Sequence, residues 1–152
     1  MKTLWLAAPF VVGMVIALHF SMNAAIGKIV GNPRMGNAVF WLIGAGMAVL
    51  IALSGWDRAF WTRARTAPLW LWFAGAIGAC IVFAVISFIP RLGAGTTNVI
   101  LLTGQVIGGL LIAHYGLLGS PVERFTLVRM FGVLLMIAGA SFAVLGRIPF
   151  LR

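Results

Sequence analysis

Long apolar stretches alternate with short polar segments along the whole chain. The only charged side chain within these stretches is Arg129, at the edge of the last one, and the stretches cover residues 4–26, 38–54, 69–89, 96–114 and 129–146. A helix needs about 20 apolar residues to cross a bilayer, so the two shorter stretches cross it only together with their flanks. The pattern predicts five transmembrane helices in a single membrane domain over residues 1–152.

Composition supports an all-α integral membrane protein whose main partner is the lipid bilayer. Hydrophobic residues make up 62% of the chain and charged residues 9%, and the mean hydropathy is +1.12. These values lie far outside the range of soluble domains. The net charge of +9 is spread over the termini and connecting segments, so it forms no basic stripe and predicts no nucleic-acid partner.

Lys and Arg are almost evenly divided between the two sides that five crossings define. The N-terminal side has six of them and the other side has five: Lys2, Arg58, Arg63, Arg65, Arg124 and Arg129 against Lys28, Arg34, Arg91, Arg147 and Arg152. An excess of these residues in short loops marks the cytoplasmic side, and here the excess is a single residue. The count favours insertion in both orientations, with one weakly biased orientation as the alternative.

Two pairs of polar side chains inside the predicted helices are candidates for a substrate site. His19 and Asn23 are four residues apart, and Asn98 and Gln105 are seven apart, so each pair shares a helix face. Because an unpaired polar group in hydrocarbon is costly, each pair either makes an interhelical hydrogen bond or lines a polar cavity. A cationic substrate would need aromatic faces such as that of Trp41.

Gly104, Gly108 and Gly109 predict a close helix contact in the fourth span. Gly104 and Gly108 are four residues apart and therefore lie on one face. Without side chains between them, two helix backbones can approach closely at such a face.

The remaining chemistry of the chain argues against an enzyme. The two carboxylates, Asp57 and Glu123, lie between the predicted helices, so no buried acid carries protons across the bilayer. The sequence contains no nucleophile–base pair and no cluster with metal-ligand spacing. We therefore predict no catalytic residue, no metal site and no cofactor. Cys80, the single cysteine, is expected to be a small buried hydrophobe.

Six short motifs follow one another along nearly all of the 152 residues. They are ALHFSMNA at 17–24, FWLIG at 40–44, PRLG at 90–93, GQ at 104–105, LIAHYGLLG at 111–119 and RMFG at 129–132. In this order and at this spacing they resemble the YdcZ-like branch of the drug/metabolite transporter superfamily. The resemblance implies a multi-pass protein of the bacterial inner membrane with five helices, half the size of the ten-helix transporters.

Two oppositely inserted copies of a five-helix unit would reproduce a ten-helix inverted-repeat transporter, in agreement with the charge count. We therefore expect an antiparallel homodimer that transports a small metabolite or drug by alternating access. The substrate would be a small polar or weakly cationic organic compound, and its expected contacts are His19, Asn23, Trp41, Asn98 and Gln105. Two alternatives stay open: a dual-topology channel for ions or small solutes, and an accessory subunit that transports nothing by itself.

Overall fold

The computed structural model describes residues 2–146, and every regular element in this part of the chain is a helix. The α-helices are α1 (Lys2–Val30), α2 (Pro33–Ser54), α3 (Phe60–Ala64), α4 (Ala74–Leu92), α5 (Ala94–Tyr115) and α6 (Leu127–Leu145), and two short 3-10 helices span Leu69–Phe73 and Leu117–Gly119. Met1 and residues 147–152, with two arginines of the charge count, lie outside the described residues.

Within residues 2–146, five helical segments are long and apolar enough to cross a membrane, which confirms the predicted number of spans. They cover Ala7–Val30, Pro33–Ser54, Leu69–Leu92, Ala94–Tyr115 and Leu127–Val144. Each is 18 to 24 residues long, which matches the thickness of the hydrocarbon core.

Two helix boundaries differ from the prediction for local chemical reasons. The second span begins at Pro33 rather than at residue 38, because the side-chain oxygen of Asn32 accepts a hydrogen bond from the backbone N–H of Met35 at 3.2 Å. Asn32 therefore caps the helix, and proline suits its first turn. The third span continues through Pro90, one residue beyond its predicted end, and ends at Leu92. The break comes at Gly93, with a φ of 82°.

The described chain forms two compact units, with the boundary between Arg91 and Leu92. The first contains α1, α2, α3 and nearly all of α4, and the second contains α5 and α6. That all five spanning helices form one membrane domain stays a prediction.

In the first unit, α1 and α2 form a hairpin with a very close approach at two glycines. A Cβ atom on Gly36 would lie 3.3 Å from the Cα of Gly27, and a Cβ on Gly27 would lie 3.1 Å from the Cα of Pro33. Only glycine fits such a backbone contact without displacement. This approach sets the distance between the facing side chains further along the two helices.

Replacing Gly36 with alanine should destabilise the protein by about 1–3 kcal/mol, since the added methyl group would press against the backbone of α1. Gly44→Ala on the same helix is the matched control, because a Cβ there has nothing within 4 Å in the described chain. The control should be neutral or slightly stabilising. Thermal unfolding of the purified protein in detergent measures both variants. Equal losses would mean that helix propensity, rather than the close approach, governs stability here.

The buried face of α4 is formed by Val82, Val85 and Ile86. Cys80 is exposed on the isolated chain, so the expectation of a buried cysteine is wrong. The hydropathy of a span does not distinguish the side of a helix that packs within its own chain from the side that meets lipid or a partner. Any cysteine-labelling experiment therefore needs a Cys80→Ser background.

In the second unit, the segment between α5 and α6 is fastened to the end of α5. The backbone N–H of Phe125 donates to Nδ1 of His114 at 2.9 Å, and the N–H of Glu123 donates to the carbonyl of Ala113 at 2.9 Å. Arg129 of α6 pairs with the carboxylate of Glu123 at 2.6 Å. His114, whose Nδ1 is occupied by this bond, thus anchors a loop.

Both carboxylates of the chain lie outside the spanning segments, as predicted, and each pairs with an arginine. Asp57 forms an ion pair with Arg63 and also accepts a hydrogen bond from the N–H of Ala59 at 2.9 Å. Glu123 pairs with Arg129. Each pair joins two residues in or beside the same connecting region, within one unit.

Candidate functional site

Asn23 of α1 is a polar side chain with no exposed area. Its Nδ2 donates a hydrogen bond to Oδ1 of Asn37 on α2 at 3.1 Å. Its own Oδ1 has no hydrogen-bond partner among the residues that the structure describes. A buried amide oxygen without a partner costs about 1–3 kcal/mol. Of the two alternatives for this pair, the interhelical hydrogen bond is present at Asn23, and the amide oxygen of Asn23 is left without a partner in the described part of the chain.

His19 lies one helical turn before Asn23 and also faces α2. Its imidazole ring centroid is 4.6 Å from that of Phe40 and 5.4 Å from that of Phe20, and the side chain is half-buried. The two predicted residues of α1 therefore make adjacent contacts with the same neighbouring helix. Aromatic packing holds the imidazole in place beside the asparagine pair.

Trp41 continues the same face of α2, four residues after Asn37. Its indole Nε1 is buried and has no hydrogen-bond partner in the described part of the chain. The ring also reaches α4, where a Cβ on Gly78 would lie 3.7 Å from the indole Cη2 atom. The missing side chain at Gly78 leaves room for the indole between α2 and α4. The hairpin thus holds one unpaired donor and one unpaired acceptor.

A shallow groove of about 320 Å³ on α1 reaches this cluster from outside. Its lining consists of His19 and four aliphatic residues, Val11, Val12, Val15 and Ile16. His19 therefore borders both the groove and the ring of Phe40 on α2. A solute in the groove would meet the imidazole before it met the buried amide.

Asn98 and Gln105 both lie on α5, in the second unit, and they differ in their surroundings. The Nδ2 of Asn98 donates to the carbonyl of Ala94 in its own helix at 2.8 Å. Gln105 is exposed. Its position near the middle of a spanning helix leaves a polar amide to be covered by something other than lipid. Substrate binding by these two residues stays a prediction.

Gly104, Gly108 and Gly109 make no close contact within their own unit. A Cβ atom on any of them would meet nothing within 4 Å. A backbone that packs tightly at these glycines would have to come from outside the second unit. Their predicted packing role stays a prediction.

The sequence analysis missed Asn37 and Phe40, which contact the two predicted residues of α1. Asn37 was not identified because the predicted second span begins at residue 38, one position after it. Its spacing of four residues from Trp41 is the signal that would have found it. Phe40 lies beside Trp41 in the FWLIG motif, but nothing in that motif indicated its contact with His19.

Around the cluster formed by His19, Asn23, Asn37 and Trp41, the described residues of α1 from Ala7 to Gly27 and of α2 from Gly36 to Ser54 include no Asp, Glu, Lys or Arg. The nearest charged residues along α1 and α2 are Lys28 and Arg34, at the ends of the helices. Among the described residues, no group of three or more His, Cys, Asp or Glu side chains could hold a metal ion. The site therefore offers hydrogen bonds and aromatic faces as its means of binding.

Comparison with known proteins places these features in a family. Residues 4–142 match the model of a family described as "Putative inner membrane exporter, YdcZ". The inner membrane protein YdcZ of Escherichia coli (strain K12) is 35% identical over 138 residues, which cover 82% of this chain and 92% of that protein. The chain belongs to the YdcZ family. No solved structure matches it.

Membership of the YdcZ family agrees with the resemblance seen in the sequence motifs. The match covers both units of the structure. Together with the five helices of membrane-crossing length, it makes the chain a multi-pass protein of the inner membrane. The YdcZ family is described as one of exporters, a description that names no catalytic activity.

Proposed function

We propose that this protein exports a small polar or weakly cationic organic molecule across the bacterial inner membrane by alternating access, as a dual-topology antiparallel homodimer. The observation that carries the proposal is Asn23, a fully buried amide within a spanning helix whose oxygen has no partner in the described residues. The description of the YdcZ family as one of inner membrane exporters supports it.

The cluster on the α1–α2 hairpin has the composition of a site for polar organic solutes. Substrate sites usually combine apolar and aromatic walls with a few polar groups that fix orientation. Here Phe20 and Phe40 supply rings beside His19, while Asn23 and Trp41 supply an unpaired acceptor and an unpaired donor. A weakly cationic solute would use the faces of the same rings.

The antiparallel arrangement is supported by the number of spans and by the charge distribution. Five crossings put the two termini on opposite sides, so a second copy must be inverted to reproduce an inverted repeat. The six-to-five division of Lys and Arg provides almost no bias against either orientation. The open face at Gly104 and Gly108 of α5 supplies a surface on which a second copy could pack closely.

His19→Phe should reduce export about tenfold or more without lowering the unfolding temperature, because phenylalanine keeps the ring contact with Phe40 and removes both ring nitrogens. The loss of one hydrogen bond to the substrate corresponds to about this factor. Ser21→Ala on the same helix is the control, since that hydroxyl is already bonded to the carbonyl of Ala17 at 2.8 Å. The control should transport normally.

The measurement begins with a screen for compounds that raise the unfolding temperature of the purified protein, since a ligand that binds the folded state stabilises it. Export of the best compound is then followed in proteoliposomes. If the His19→Phe variant exports normally, the imidazole of His19 does not take part in substrate binding. Flux far above carrier turnover without counter-exchange would establish a channel, and no flux from any bound compound would establish an accessory subunit.

A further inference from the structure

The α1–α2 hairpin leaves two buried polar atoms unpaired, and they are of opposite kinds. Asn23 Oδ1 is an acceptor, and Trp41 Nε1 is a donor, and neither has a partner among the described residues. The other half of the Asn23 amide is already used, because Nδ2 donates to Asn37 at 3.1 Å. Buried polar groups in spanning helices are normally paired, with exceptions at functional positions.

The two atoms belong to neighbouring levels of the hairpin. Asn23 is bonded to Asn37, and Trp41 lies four residues further along α2 on the same face. The two levels are therefore separated by about 6 Å along the helix axis. Two hydrogen bonds of about 2.9 Å, one at each end of a single amide group, can bridge a separation of this size.

A charged group bound at the cluster would have no oppositely charged partner on α1 or α2 near the cluster. The described parts of α1 and α2 between Ala7 and Gly27 and between Gly36 and Ser54 contain no charged side chain. A carboxylate or ammonium group bound there would be an unpaired ion in a medium of low dielectric constant. An uncharged group with both a carbonyl oxygen and an N–H would satisfy both free atoms.

From these three observations we infer that the cluster binds an uncharged aromatic amide, with the carbonyl oxygen of the solute accepting from Trp41 Nε1 and its N–H donating to Asn23 Oδ1. The ring of His19, with its centroid 5.4 Å from that of Phe20 and 4.6 Å from that of Phe40, provides with them a contact for the aromatic part. The apolar groove beside His19 supplies the approach. This inference rests on the proposed export function and specifies the substrate class of the same site.

Benzamide and three analogues of similar shape test the inference on the purified full-length protein. Benzamide should raise the unfolding temperature in a concentration-dependent manner, whereas benzoate and benzylamine, which are charged at neutral pH, should not. Acetophenone keeps the carbonyl and lacks the N–H, so it should bind about tenfold more weakly than benzamide.

Two variants test whether benzamide binds at Trp41 Nε1 and Asn23 Oδ1. Trp41→Phe should weaken benzamide and acetophenone to a similar extent, because both use the carbonyl oxygen. Asn23→Ala should weaken benzamide alone. Trp61→Phe, on the exposed helix α3, is the control and should change neither. Where Asn23→Ala fails to fold, the ratio of the benzamide and acetophenone affinities in the native protein supplies the same test.

Equal affinities for acetophenone and benzamide would overturn the inference, because Asn23 would then offer no acceptor to the solute. Tighter binding of benzylamine or benzoate that Trp41→Phe abolishes would also overturn it, but would leave the export site and the proposed function standing. If Trp41→Phe binds benzamide as tightly as the native protein does, the amide does not bind at Trp41 and the inference is wrong. The proposed function fails separately, if the purified protein moves none of the compounds it binds across proteoliposome membranes, or moves them with the uncoupled flux of a channel.

Discussion

A variant whose positive charges are concentrated on one side of the membrane should lose export when expressed alone and regain it when expressed with its mirror image. Orientation follows the Lys and Arg of short loops, and this chain divides them six to five. A few substitutions should therefore commit all copies to one orientation. An antiparallel dimer needs both orientations, so neither variant can assemble it alone.

The structure selects which charges to change in the first variant. Arg58 and Arg65 are suitable for neutralisation, whereas Arg63 is ion-paired with Asp57 and should be kept. Lysines are best added at Ile29 and Met35, whose side chains are exposed. The substitutions Arg58→Gln, Arg65→Gln, Ile29→Lys and Met35→Lys change the counts from six and five to four and seven.

The mirror variant shifts the charges in the opposite direction. Lys28→Gln and Arg34→Gln remove two charges from one side, and Ala59→Lys and Leu127→Lys add two on the other, which gives eight against three. All four positions are exposed. The control carries Arg58→Lys and Arg65→Lys, which keep the count unchanged, and it should export normally.

Cysteines added at each terminus in a Cys80→Ser background report the orientation through labelling from outside intact cells. In the native protein both termini should react, and in each biased variant only one. Full export by one biased variant alone, or one reactive terminus in the native protein, would contradict the antiparallel dimer. Loss of export that coexpression does not restore would point to damage at the substituted loops instead.

Hydropathy predicted the five spans correctly because the bilayer imposes a length that local sequence must satisfy. Hydropathy did not predict the exact helix boundaries, because the start of α2 depends on one capping contact between Asn32 and Met35. The third span was predicted to end at residue 89, just before Pro90, whereas the helix ends at Leu92. A proline removes one backbone donor, and α4 tolerates that loss near its end until Gly93 supplies the break.

The candidate site was predictable on α1 and largely hidden on α2. His19 and Asn23 stand out because polar residues are rare inside spans, and their shared face follows from helix geometry. Their contacts with Asn37 and Phe40 follow from the packing of two helices, which depends on the close approach of Gly27 and Gly36. Neither glycine is distinguished in the sequence from the many others.

The polar groups of the second unit illustrate the opposite difficulty. His114 lies in the LIAHYGLLG motif, and the structure has it accepting a hydrogen bond from the backbone N–H of Phe125. Asn98 is bonded within its own helix, and Gln105 is exposed. For Asn98 and Gln105, sequence spacing identified a shared helix face but could not identify what covers that face.

Cysteine cross-linking along α5 should show a pattern that only an antiparallel contact produces. In an antiparallel dimer the two-fold axis lies in the membrane plane, so a residue near the axis meets its own copy and all others meet residues at mirrored positions. Helix α5 spans Ala94–Tyr115, so Gln105 lies at its midpoint, next to Gly104 and close to Gly108. If these glycines form the predicted close contact, Gln105→Cys should cross-link to itself in a Cys80→Ser background.

The decisive comparison uses the residues seven positions before and after Gln105, which share its helix face. Asn98→Cys should not cross-link to itself, because the two copies would be separated by about 21 Å along the helix axis. When coexpressed with Ile112→Cys, it should cross-link efficiently, since residues 98 and 112 mirror each other about residue 105. A parallel contact reverses this pattern, with each position linking to itself and no link between 98 and 112. Absence of all three cross-links would remove α5 and its glycines from the interface.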